Sequence, residues 1–397
     1  MGSSSIRTVV FALLFVTACQ SNDVVVPPTD SGALATIGAG TVHERFSAEI
    51  NVRGDYAYTT TWGFRDAVGN AIKIWNVAGV SAPVLVDSVI VPNATTLGDV
   101  QVSDDGQLLV VATEFSPGSI MIYSLADPTK PQLITRYTSA LTDPGVHTAE
   151  VQRVGGKLYA FLCVDPTASS PARLVIVDLS NPASPQQVFT AAMGSPYVHD
   201  VFVREGILFT ALWDQGMRIW DIGGGGHGGT VATPVVLGNV VNVGGKAHNI
   251  WWFHNAANGE KKYAFIGEEG PGSTLSSASG DIHVIDVSDF ASPHEVAFYH
   301  LAGAGTHNFS VDETRGVLYA AYYNGGVRAI DITGDLSSCD AASKSGDGRC
   351  DLGLMGREVA HAPEEALPVY VWGVQVVGQY VYASDMLNGV WKFTAVH

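Results

Sequence analysis

Charge is scarce in this chain, and positive charge scarcer still. Lys and Arg number 21 against 38 Asp and Glu, and charged residues make up only 15% of the 397 positions. The formal net charge of -17, with no local cluster of Lys and Arg to offset it, would repel phosphate backbones and anionic head groups, which excludes nucleic acid as a partner. Cysteine occurs only four times, and the GxSxG, HExxH and CxxC patterns are absent, so nucleophilic catalysis through serine or cysteine has no support. A sustained amphipathic helical period is also missing. In its place, short runs of Val, Ile, Tyr, Phe and Trp recur between Gly, Pro, Asn and Asp, and 44 glycines and 18 prolines supply the turns. This is the pattern of a large all-β protein.

The N-terminus differs from the rest. Arg7 precedes an apolar stretch from Val9 to Val16, too short to span a bilayer, which reads as an export signal over residues 1–18. The segment Val16-Thr17-Ala18-Cys19 resembles the lipobox of bacterial lipoproteins. That resemblance implies lipidation of Cys19, and Gln20 implies transport to the outer membrane, so the expected location is the cell envelope, with membrane contact only through the N-terminal lipid. The alternative is an ordinary cleavable signal that happens to contain a cysteine. Residues 19–32, polar and proline-bearing, read as a tether to a domain over residues 33–397. Cys339 and Cys350 bracket a Ser/Gly/Asp-rich insert and are close enough in sequence for a disulfide, whereas Cys163 lies in an apolar strand and reads as a buried thiol. Asp340, Asp347 and Asp351 miss the EF-hand spacing, so the insert reads as a solvated loop.

Self-similarity sets the architecture. LVIVDLSNPASP from Leu174 has relatives in IKIWNVAGVSAP from Ile72, IMIYSLADPTKP from Ile120, MRIWDI from Met217, IHVIDVSDFASP from Ile282 and VRAIDI from Val327. Each is preceded by a second shared pattern, seen in HDVFVREGILFTALWDQG from His199 and HNFSVDETRGVLYAAYYNGG from His307. The aligned positions are Glu49, Asp99, Glu150, Asp200, Asn249, Asn308 and Gly373, a period of roughly fifty residues. Seven such units predict a β-propeller of seven four-stranded blades. Residues 174–178 spell the signature of the LVIVD-repeat proteins, and the chain after the tether resembles that family, which implies a propeller in an exported or surface protein of undefined activity. The last unit ends after its third strand while an extra apolar segment, ALATIGAG, opens the first. The N-terminal segment is therefore expected to supply the outer strand of the last blade.

In such a blade, the start of the inner strand and the end of the second strand lie at one mouth of the central channel. Inner strands start with His147 and Glu150, His199 and Asp200, His248 and Asn249, and His307 and Asn308. Second strands end with Glu114, Asp165, Asp214, Glu268, Glu269 and Asp385, and Trp62, Trp213 and Trp372 are candidates for a wall. Imidazoles with carboxylates beside them suit a divalent transition metal, or acid and base work on a bound ligand. The candidate ligands are His147, Glu150, His199, Asp200, His248, His307, Asp214 and Glu268. A structural reading stands beside these, because His199 and Asp200 with Trp220 and Asp221 partly look like the hydrogen-bonding set of WD-type propellers. Against it, the first two units lack the histidine. Two functions follow: a monomeric binding module for a small ligand, glycan or protein, or a metal-dependent enzyme (lyase, hydrolase or oxidase) at the same mouth. His227 in GGGGHGG has no repeated partner, and the glycine run lacks phosphate-loop spacing.

Overall fold

The computed structural model describes residues 32–63, 67–363 and 367–396, so residues 1–18 expected to be an export signal, Cys19, and the expected tether apart from Gly32 lie outside the described residues. Among the described residues, seven sheets built on antiparallel strands follow one another, and the strands that open the seven blades contact each other around a central channel. Blade 1 begins with Phe46–Arg53, blade 2 with Thr96–Val102, blade 3 with Val146–Val154 and blade 4 with Asp200–Arg204. Blades 5, 6 and 7 begin with Ala247–Trp252, Phe309–Asp312 and Val371–Val377.

The apolar run at 174–177 is explained by its place as a third strand, Arg173–Asp178, covered on both faces. Leu174 and Ile176 enter the core shared with blade 4, whereas Val175 and Val177 enter the core shared with blade 2. Alternation of side chains along a strand normally produces an apolar face and a polar face; here both faces are buried, so the alternation disappears from the sequence. Asp178 then accepts the backbone N–H of Ser180 at 2.8 Å to start the turn, and Asp286 and Asp331 do the same for Ser288 and Thr333. The outer strand of blade 1 is less covered and reads accordingly, VLVDSVI being mostly exposed.

The ring closes as expected. Thr36–Gly40 pairs antiparallel with Gly389–Thr394, the third strand of blade 7, and supplies its missing outer strand. Just before it, Gly32–Ala33 pairs parallel with Glu358–Ala362 in blade 6, so the N-terminal segment ties two blades, and Leu34 between them is buried against Tyr319 and Phe393. Cys339 and Cys350 are bonded, and Cys350–Asp351 extends the edge of blade 5 beside His294–Tyr299. The acids of this insert serve its own turns: Asp340 caps a short helix through Ser343, Asp347 holds Arg349, and Asp351 accepts the N–H of Gly353.

Candidate functional site

Antiparallel pairing sets Thr96 opposite Glu114, Val146 opposite Val164 and Ala247 opposite Glu268, which brings inner-strand starts and second-strand ends to one mouth. Around it the four histidines form a continuous arc. Ring centroids are 4.2 Å apart from His147 to His199, 4.0 Å from His199 to His248 and 4.0 Å from His248 to His307. Trp372 continues the arc 4.4 Å from His307, and Trp62 lies 5.2 Å beyond.

Two groups within this arc have their donor atoms close together. His199, His248 and Glu269 offer one ligand atom each within 4.8 Å of one another, and Glu114, His147 and Asp165 do the same. Glu269 Oε2 stands 3.7 Å from His199 Nε2 and 4.0 Å from His248 Nε2, beyond hydrogen-bond range and within reach of one shared ion. His248 is 2% exposed, yet neither of its ring nitrogens has a hydrogen-bond partner, nor has Nδ1 of His199. Buried polar atoms are rarely left so, because each costs about 1–3 kcal/mol. Burial, then the neighbouring imidazoles, push His199, His248 and His307 well below the usual histidine range, which leaves them neutral and able to act as ligands. His147 differs: burial disfavours its charge, but the carboxylates of Glu114, Asp165 and Glu269 together raise it to about 10.

The shell behind these groups is held by strained backbone. Trp213 and Tyr323 both follow second strands and sit at φ 54° and 43°, a left-handed conformation that side chains other than glycine rarely adopt. The turn delivers their rings to the site. Trp213 stacks on His199 at 5.2 Å and 23°, while Tyr323 lies 5.0 Å from His307 and donates its hydroxyl to Glu269 Oε1 at 2.6 Å. His307 itself is turned toward the Trp372 carbonyl, 2.6 Å from Nδ1.

One step deeper, the aligned positions of the repeat form a second ring and line a cavity of about 320 Å³. Glu49, Asp99, Glu150 and Asp200 lie there with Asn249 and Asn308, while Gly373, the seventh aligned position, lies beside Glu49. A Cβ at Gly373 would crowd Ser384 Oγ at 2.9 Å, Ile50 at 3.0 Å and Glu49 Oε2 at 3.1 Å, on the side where Glu49 accepts Asn308 Nδ2 at 2.7 Å. Burial, with mutual repulsion, raises Glu49 and Glu150 well above the carboxylate range and Asp200 to about 8; burial raises Asp99 to about 6.

The sequence candidates therefore divide. His147, His199, His248 and His307 meet at the mouth, and Glu150 and Asp200 lie in the ring below. Glu268 turns away from the arc, its Oε2 lying 3.4 Å from His283 Nε2, and the adjacent Glu269 faces the histidines instead. Asp214 is exposed in the turn after Trp213 and belongs to neither group. Asp385 accepts the N–H groups of Tyr370 and Leu387 and shapes its own turn. The WD-type arrangement does not form around Asp221. Its carboxylate instead accepts backbone N–H groups from Gly223, Gly225, His227 and Gly229, so the GGGGHGG run wraps this chain's own anion. Tyr323 was not distinguishable in the sequence from other tyrosines that end strands.

The LVIVD repeat family matches residues 167–192, which contain the third and outer strands of blade 3. No curated protein matches the chain.

Proposed function

We propose that this propeller is a metal-dependent binding module, which holds a divalent transition ion at its channel mouth through His199, His248 and Glu269 and presents it to a small polar ligand. The observation that carries this reading is His248, buried with both ring nitrogens unpartnered beside Glu269 and His199. Two neutral imidazoles and one carboxylate suit Zn, Cu, Ni or Fe. Three protein donors leave at least one coordination position for water or a ligand oxygen. Tyr323 orients Glu269, and Trp213 fixes the plane of His199, as outer partners of metal ligands commonly do. The channel below is lined by carboxyl and amide groups and has Trp62 and Trp372 at its rim, which favours an uncharged or cationic ligand rich in hydrogen-bonding groups.

Elemental analysis of the purified chain, stripped with a chelator and dialysed against Zn(II), tests the reading. Wild type is expected to retain the ion and His248→Ala to lose it. Equal, negligible metal in both overturns the proposal.

Export and anchoring through Cys19 belong to the same proposal, supported by the Val9–Val16 stretch and the residues before Cys19. Fractionation tests it: a Cys19→Ser protein that remains membrane-bound overturns the anchor.

A further inference from the structure

We infer that the mouth takes a second divalent cation, held by Glu114, His147 and Asp165 beside the first and of harder character. The inference rests on the preceding reading only for the neighbouring ion; its own ligands come from different strands.

Glu114 ends the second strand of blade 2, Leu108–Glu114, and Asp165 follows that of blade 3, Lys157–Val164. Inner-strand His147 stands between them, and one donor atom from each lies within 4.8 Å of the others. Glu114 is 4% exposed. Its Oε1 lies 3.1 Å from His147 Nδ1, within ion-pair distance, yet makes no well-aligned hydrogen bond there or elsewhere among the described residues. A proton on His147 and a metal ion are alternatives at this place, because only the neutral imidazole ligates. Two donors on one ion with bonds of about 2.1 Å stand about 3.0–3.4 Å apart, with no such alignment required. Gly145 keeps the approach open, since a Cβ there would lie 3.2 Å from Asp165 Oδ2 and 2.7 Å from the Phe115 nitrogen. Phe115, at φ 61°, is a third residue in left-handed backbone after a second strand, like Trp213 and Tyr323.

The donor sets set the preferences apart. Two carboxylates and one imidazole favour Mn(II) or Mg(II), whereas two imidazoles and one carboxylate favour Zn(II) or Cu(II). The rings of His147 and His199, one from each group, are 4.2 Å apart, so a ligand entering the channel meets both ions.

The test is equilibrium dialysis of the stripped, full-length chain against Zn(II) and Mn(II) together, with metal content read by elemental analysis. Wild type is expected to hold two ions per chain. Glu114→Gln should lose one, with Mn(II) affinity down at least tenfold, and His248→Ala should lose the other. Asp165→Asn, in a half-buried loop, repeats the Glu114 arm should that variant fold poorly. One ion in wild type, kept in Glu114→Gln and Asp165→Asn but lost in His248→Ala, overturns the second site and leaves the first. One ion lost in Glu114→Gln and kept in His248→Ala supports the site argued here and overturns the other. No ion in wild type overturns both.

Discussion

Tyr323 donates its hydroxyl to Glu269 Oε1 at 2.6 Å, from a backbone held at φ 43° by reciprocal hydrogen bonds with Val371 of blade 7. Removing that oxygen leaves the ring, its packing on His307 and the proposed ligands in place, and frees one carboxylate oxygen to turn. Tyr323→Phe is therefore expected to weaken Zn(II) binding about 10–100-fold with little change in thermal stability. Competitive titration against a chromophoric chelator measures it. Unchanged affinity would show that Glu269 needs no such support.

Ring closure makes a separate prediction. Leu34 lies between the two pairings of the N-terminal segment, 2% exposed, in the core that blades 6 and 7 share. Truncating it should cost about 2–5 kcal/mol, the range for a buried leucine that leaves a cavity. Deletion of residues 33–41 should cost more, because it exposes the edge of Gly389–Thr394 as well. Thermal unfolding of both variants is the measurement, and a melting temperature unchanged by the deletion contradicts the closure.

The period of the repeat was legible because each blade reuses one strand order, and the apolar third strands stood out because both of their faces are covered. The faces at the mouth were harder to read. Glu268 and Glu269 are neighbours at the end of one strand, so a shift of one residue exchanges which side chain points at the channel, and the irregular pairing between Ala247 and Asn249 falls opposite them. Asp214 was read as a strand end, yet the left-handed backbone of Trp213 turns the chain there, and the tryptophan rather than the acid faces the histidines. His147 precedes Glu150 by three residues where the other histidines precede their ring positions by one, yet its ring joins the arc beside His199; the pairing is irregular around both His147 and His248. No local pattern in a single sequence encodes such an irregularity.

The glycine loop around Asp221 gives a prediction at low pH. Burial alone would raise this carboxyl, but four backbone N–H groups pull it down to about 2, below its ordinary 3.8. A group depressed on folding contributes stability that is complete above the ordinary value and is lost as pH falls through the folded one, here between about 4 and 2, with a magnitude of about 2 kcal/mol. Asp221→Asn should lower stability at neutral pH and remove that part of the acid dependence. Urea unfolding at pH 7 and pH 3 separates the two outcomes.

His283 predicts the opposite sign. It is 1% exposed and lies between Glu295 Oε1, 2.8 Å from Nδ1, and Glu268 Oε2, 3.4 Å from Nε2, while Arg349 of the disulfide-bonded insert also pairs with Glu295. Burial opposes the imidazolium, yet the two carboxylates raise it to about 9. Its stabilisation is therefore complete below the ordinary histidine value of 6.5 and is lost as pH rises through about 9, by about 3 kcal/mol. His283→Gln keeps a hydrogen-bonding side chain but no titratable charge, so its urea midpoint should fall well below wild type at pH 6 and approach it at pH 10. If the gap between the two proteins stays constant over that range, His283 is neutral in the folded protein and Glu268 is then held by something other than charge, which would reopen the question of why it, and not Glu269, turns away from the channel.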